Sequence, residues 1–310
     1  MFKKSLVAAA GAALALSLAA CGESADESKS AGANDPETLV VAAVPSEQSQ
    51  SLKEQYELVI KVLEKETGKK VEFQNATDYA AVIEGQRAGK IHIAGYGPFS
   101  YMTAKDGGVD IVPLSAVVEK SGDKPGYQSY GITKSGSPIK TLADFKGKKV
   151  CFVDQKSTSG YLYPTAGLKE AGIDPEKDIT PVFAGGHDAS ALAVAKGDCD
   201  AGFAFDTIVD KTLIEKGQLK AGDLTTVWKS ETIAGSPFAV SNKLSKDLVA
   251  KITDAFQNKM NTDAAKSAGL CTDKCAWPEK KAFGMVKVDD KLYDGVRKVC
   301  QITQAKACKV

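Results

Sequence analysis

Arginine is nearly missing from this 310-residue chain: Arg87 and Arg297 are the only two among 40 basic residues, and histidine and tryptophan also number two each. The planar guanidinium fork that grips carboxylates and phosphates is therefore scarce, and any oxyanion site has to rely mainly on neutral donors. Basic and acidic residues nearly cancel, 40 against 39, which is not the balance of a nucleic-acid binder. Cys271 and Cys275 have the spacing of half a zinc site, but two histidines leave little to complete it, so neither a metal nor a cofactor is expected. Long hydrophobic runs are also lacking. The longest, residues 6–20, is too short to span a bilayer.

That run follows Lys3 and Lys4 and has the layout of a secretory signal, expected to be removed. Leu18, Ala19, Ala20 and Cys21 resemble the lipobox of bacterial lipoproteins, in which the cysteine is lipidated and becomes the new N-terminus. The resemblance implies a membrane anchor at Cys21. Residues 22–38 are polar without apolar periodicity and should form a flexible tether of roughly 20–25 Å. Loss of residues 1–20 leaves 40 − 2 = 38 basic residues against 39 acidic, a net charge of −1. Six cysteines lie past Cys21, an even number for an oxidising compartment, and suggest three disulfides. Cys151 and Cys199 fall in predicted strands that a parallel sheet would bring within bridging distance. Cys271, Cys275, Cys300 and Cys308 allow three pairings, of which the local bridges Cys271 to Cys275 and Cys300 to Cys308 are preferred.

The remaining 270 or so residues exceed one compact core and suggest two lobes. Residues 39–44 form a short apolar run ending at Pro45, a buried strand. From Leu52, apolar residues recur at Tyr56, Val59, Ile60 and Leu63, a helical face that stops at Gly68. A strand at 71–73, a helix capped by Asp78 and a strand at 91–94 continue the alternation, which argues for a mostly parallel sheet with helices on both faces. A second alternation follows a crossing strand at 128–133: a short capped helix at 141–147, strands at 149–154, 179–183 and 199–205, and helices between them. A return strand at 236–241 and a mainly helical tail complete the chain. This order predicts an α/β protein with lobe 1 at 39–131 and 237–310 and lobe 2 at 132–236, joined by two crossings that form a hinge.

Ser157, Thr158, Ser159 and Gly160 sit between a predicted strand and a helix. Unpaired backbone N–H groups and the dipole at a helix start favour an oxyanion there, and three hydroxyls add donors. The same residue types also serve as ordinary N-caps. Pro164 comes late for a first-turn proline, so the opening turn should be irregular.

The segments Asp78-Tyr79-Ala80, Ile93-Ala94-Gly95-Tyr96-Gly97, Pro125-Gly126-Tyr127, Ser157-Thr158-Ser159-Gly160-Tyr161, Ala184-Gly185-Gly186-His187 and Gly235-Ser236-Pro237 resemble, in order and spacing, the phosphate, phosphite and phosphonate binding proteins of ABC transporters. The resemblance covers about residues 39–290. It implies the type II periplasmic-binding-protein fold, two α/β lobes joined by a two-strand hinge that close over a small phosphorus oxyanion. Carried over residue by residue, it implies a shell of Tyr79, Tyr127, Ser157, Thr158, Ser159 and His187, with Asp206 near the substituent on phosphorus and Tyr96 and Ser236 adjoining. Three of these residues have plainer readings: Tyr79 as the first apolar residue of its helix, Tyr96 as packing beneath the cleft, and His187 as a helix-start histidine. His92 reads as structural and Glu47 as a solvated charge. Many members carry tryptophan where Gly95 stands, which implies a thinner aromatic wall. Aminophosphonate binders have acidic residues at the positions of Ser236 and Asp206; here one is neutral and the other a shorter acid, so phosphite or a short alkylphosphonate is expected over an amine-bearing ligand, with phosphate weaker than phosphite. The leading expectation is a monomeric, lipid-anchored receptor that serves an ABC permease. A sensory protein on the same hinge and, less favoured, an enzyme on the same fold are the alternatives.

Overall fold

The computed structural model describes residues 35–46, 49–272, 275–278 and 282–309; the expected signal segment, Cys21 and Glu47 lie outside the described residues. The chain opens with β1 (Thr38–Ala43), α1 (Ser49–Gln55), α2 (Glu57–Thr67), β2 (Lys70–Gln74), α3 (Tyr79–Arg87), β3 (Ile93–Gly95), α4 (Pro98–Asp106) and β4 (Ile111–Val118). Next come β5 (Gly126–Tyr127), β6 (Ser129–Lys134), β7 (Lys149–Phe152), α5 (Tyr163–Glu170), β8 (Thr180–Phe183), α6 (His187–Lys196), β9 (Ala201–Phe205), α7 (Leu213–Glu215) and β10 (Leu224–Lys229). It ends with β11 (Ile233–Ala234), β12 (Pro237–Ser241), α8 (Lys246–Asp254), α9 (Thr262–Ser267), β13 (Gly284–Lys287) and α10 (Asp294–Thr303).

Local signals account for many of the boundaries. The Asp78 carboxylate accepts the Ala81 N–H at 2.7 Å and starts α3, while Gly68, at φ 69°, lets α2 stop in a left-handed turn. The helix expected from Leu52 onward is broken at Tyr56, whose backbone (φ −92°, ψ −4°) separates α1 from α2. Asp35 accepts the Ser245 N–H and Oγ–H at 2.8 and 2.6 Å, so the chain is already docked three residues before β1.

Two sheets result. The larger has the order β13-β4-β12-β3-β1-β2 and the other β10-β6-β9-β7-β8. Each is mixed rather than mostly parallel, because β12, β13, β6 and β10 run back against their neighbours. Alternate residues of β1 enter different cores: Leu39, Val41 and Ala43 pack with α2 and α8, whereas Ala42 packs with α3 and Tyr101, so helices cover both faces. Val150 and Cys151 of β7 separate in the same way.

The chain passes between the sheets through β5 and β11, which pair antiparallel with Tyr127 opposite Ile233. The strand expected at 128–133 as the crossing is instead β6, inside the five-stranded sheet. A further cluster joins Phe99 and Met102 of α4, Leu162 and Tyr163, and Val299 and Cys300 of α10. The disulfides are Cys151–Cys199, Cys271–Cys275 and Cys300–Cys308, with Cα separations of 5.9, 5.3 and 5.7 Å. The last of them brackets Ala307, whose carbonyl accepts from Lys156 Nζ at 2.6 Å, next to the hydroxyl run.

Candidate functional site

A cavity of about 120 Å³ lies at the carboxyl ends of the strands, lined from both sheets and from the β5–β11 crossing. β7 delivers the chain to Ser157, whose Oγ accepts the Gly160 N–H at 3.0 Å and caps the next turn. That turn, Thr158–Leu162, is π-helical before α5 begins, the irregular opening expected ahead of Pro164. Gly160 is required there, since a Cβ would fall 2.3 Å from the branched Val153 side chain. Ser157, Thr158 and Ser159 are almost fully buried and their loop is held from several sides. Thr158 Oγ1 accepts the Phe99 N–H at 2.9 Å from α4 of the other sheet's layer, and Ser129 Oγ donates to the Ser159 carbonyl at 2.6 Å.

Four helices present their first or capping residue to this one cavity: Tyr79 of α3, Gly97 before α4, Ser157 before the π turn, and His187 of α6. Their partial positive ends add without any formal charge. Among the described residues lining the cavity, none is Lys, Arg, Asp or Glu. The scarcity of arginine thus has its counterpart in the geometry.

His187 has its proton placement set by a neighbour. The Phe205 N–H donates to Nδ1 at 3.2 Å, so the neutral ring carries its hydrogen on Nε2, 3.4 Å from Ser157 Oγ. Burial holds the imidazole down at about 3, which keeps it uncharged. Burial also raises the Tyr79 phenol well above its ordinary value, opposed by the Ser157 hydroxyl beside it. Tyr127 is pushed up to about 12 by burial, with the hydroxyls of Thr158, Ser159 and Ser236 opposing. Both phenols therefore keep their protons near neutrality.

Of the residues singled out in the sequence, Tyr79, Tyr96, Tyr127, Ser157, Thr158, Ser159, His187 and Ser236 line the cavity, and Asp206 does not. The Asp206 carboxylate accepts the Gln128 N–H at 3.0 Å and the Thr207 N–H at 2.7 Å, which turns it toward its own backbone and leaves Thr207 on the wall. The Tyr96 hydroxyl points away from a ligand role, donating to Gln86 Oε1 at 2.8 Å, and the residue packs in the buried cluster with Val82 and Tyr101. His92 is structural: Nδ1 accepts the Val40 N–H at 2.9 Å. Sequence reasoning missed Tyr56, Thr207, Phe205 and Pro278 as wall residues. Tyr56 was hidden in a helical apolar row, and Thr207 stood beside a more conspicuous acid.

The model of the family described as "ABC transporter, phosphonate, periplasmic substrate-binding protein" matches residues 41–272. The chain belongs to this family. The phosphate-import protein PhnD of Mycolicibacterium smegmatis is 49% identical to it over 98% of this chain and 97% of that protein. The phosphonates-binding periplasmic protein of Escherichia coli is 33% identical over 72% of this chain and 67% of that one. Among solved structures, a binding-protein component of an ABC phosphonate transporter from Pseudomonas aeruginosa superposes with a TM-score of 0.75 at 29% identity, covering 87% of each chain. The fold is that of the type II periplasmic binding proteins, and these relatives are named as transport components.

Proposed function

We propose that this protein is the extracytoplasmic receptor of an ABC importer, tethered by lipid on Cys21, that captures a small phosphorus oxyanion by closing its two lobes and hands it to a membrane permease. The observation that carries this reading is the convergence of four helix N-termini and the hydroxyls of residues 157–159 on a cavity without ionised side chains. Such a site suits a compact anion with several oxygens. Leu52, Val117, Phe238 and Pro278 supply an apolar part of the wall, which favours phosphite or a short alkylphosphonate over 2-aminoethylphosphonate. Phosphate is the second reading, supported by the name of the 49% identical relative. With Asp206 turned onto the backbone, its repulsion no longer counts against phosphate.

Catalysis is not part of the proposal. Activation of Ser157 by His187 would need an unprotonated Nε2, but the Phe205 N–H occupies Nδ1 and leaves the proton on Nε2. Competitive calorimetry with phosphite, methylphosphonate, phosphate and 2-aminoethylphosphonate tests the ligand class. Tightest binding of the amine would refute the reading, and tightest binding of phosphate would select its second form. Metabolic labelling with a fatty acid, lost in a Cys21→Ala variant, tests the anchor.

A further inference from the structure

Gly95 ends β3 in the middle of the six-stranded sheet, flanked by Ala43 of β1 and Phe238 of β12 in register. All three line the cavity, and so does Tyr56. A Cβ built on Gly95 would lie at ordinary contact distance from its sheet neighbours, 3.4 Å from Ala43 and 3.5 Å from Phe238. The obstacle is a single atom: Tyr56 Oη, 2.4 Å away. Tyr56 reaches this place because the helix breaks at its backbone, and its ring is held there by Phe73 and Phe238, with centroids at 4.9 and 5.7 Å. The side chain that a residue at position 95 would project is therefore replaced by a hydroxyl supplied from a different element, 39 positions earlier in the chain.

We infer that Tyr56 and Gly95 act as a complementary pair that closes one end of the cavity and sets the largest substituent a bound phosphorus anion can carry. The inference rests on the proposed function, since it names the size limit of the same site. The physical basis is close packing: a rigid ring pinned between two others yields little, and a wall one methylene too near costs affinity sharply. Tyr56 is then a specificity-determining residue. The hydroxyl, rather than the ring, is the part that sets the limit.

The test uses four proteins: wild type, Tyr56→Phe, Gly95→Ala and Gly95→Ala/Tyr56→Phe. Each is melted without ligand and titrated with phosphite, phosphate, methylphosphonate, ethylphosphonate and propylphosphonate. In wild type, affinity should fall by roughly tenfold for each methylene beyond methyl. Tyr56→Phe removes one oxygen and should bring ethylphosphonate to within about threefold of methylphosphonate. Gly95→Ala should lower the melting temperature and weaken every ligand by about tenfold or more, and the double variant should regain both the melting temperature and the wild-type length profile. An unchanged ethyl-to-methyl ratio in Tyr56→Phe overturns the inference, as does a double variant no better than Gly95→Ala alone. Wild type binding none of the five anions refutes the proposed function itself and removes the size limit with it; wild type binding the small ones while the variants keep its profile refutes only the inference.

Discussion

On the five-stranded side of the cleft the cavity meets Ser157, Thr158, Ser159 and His187, three of whose side chains are tied to backbone groups: Ser157 to Gly160, Thr158 to Phe99 and His187 to Phe205. On the six-stranded side it meets Leu52, Tyr56, Gly95 and Phe238, positioned by ring contacts and close packing. The first wall satisfies charge with hydroxyls and oriented dipoles, joined across the cleft by the starts of α3 and α4; the apolar part of the second is built to a shape. Hydrogen-bonded donors tolerate little displacement and discriminate by ionisation, while packed rings discriminate by volume. Changes on the two walls should therefore fail differently, one set uniformly for all oxyanions and the other in a ligand-dependent way.

The largest effect should come from the clamp turn. Gly160→Ala drives a Cβ into Val153 and to 2.7 Å from Ser157 Oγ, the very atom that caps the turn. Overpacking of this kind typically costs about 1–3 kcal/mol of stability. Affinity for every phosphorus anion should fall by more than about a hundredfold, because the cap and the clamp move together. Differential scanning fluorimetry and calorimetry read the two effects, and normal binding in Gly160→Ala would show that the π turn is not part of the site.

Next in size is Thr158→Val, which keeps the shape but removes an oxygen that accepts from Phe99 and can donate into the cavity. Hydrogen bonds to charged groups are worth roughly 1.5–3 kcal/mol, so affinity should drop about ten- to a hundredfold with the order of ligands unchanged. A change in ligand order would place Thr158 with the sizing wall instead. Ser236→Asp is expected to act the other way: it adds a charge beside Tyr127, weakening phosphate and phosphite while improving 2-aminoethylphosphonate relative to them by about tenfold. Uniform weakening would contradict the proposal that Ser236 faces the substituent.

The smallest effect concerns pH. Burial holds the folded-state His187 at about 3 against an ordinary 6.5, so the unfolded chain binds the extra proton across that interval. The stabilisation from a neutral His187 is complete above about 6.5 and is lost progressively as pH falls toward 3. Asp154 and Asp206, both raised by burial, act with the opposite sign just above the usual carboxylate range. The difference between wild type and His187→Asn isolates the imidazole: melting temperatures should converge as the medium becomes acidic. Binding should behave otherwise. With the imidazole neutral and both phenols protonated, affinity between roughly pH 5 and 9 should follow only the ligand's own ionisation. A bell-shaped affinity profile for a ligand of constant charge, such as a sulfonate competitor, would show that a protein group titrates.

Much of this arrangement could be read from residue order. The hydroxyl run, the Asp78 cap, the Cys151–Cys199 bridge and the two alternating halves follow from local chemistry that sequence displays directly. The strand β4 was harder to see, since Pro113 argues against a central strand; a register shift between Phe238 and Ala239 of the neighbouring β12 accommodates it. The capture of Asp206 was not legible because its partner Gln128 lies 78 positions away and the bond forms only after the crossing has folded. The hydroxyl direction of Tyr96 depends in the same way on Gln86, and the wall over Gly95 on a helix break at Tyr56 that apolar periodicity alone would have carried through. Elements are local properties of a chain, whereas the orientation of a polar tip is a property of its neighbours.

A cavity without ionised side chains has an electrophoretic consequence. The bound anion brings its whole charge into a protein that is itself close to neutral, 40 basic residues against 39 acidic. No side chain at the site has to gain or lose a proton to receive it. Loaded protein should therefore be more acidic than empty protein by the full valence of its cargo, and the two forms should separate by charge in a gel run under native conditions. The spacing between the bands would count the ligand's charge without the ligand having been identified.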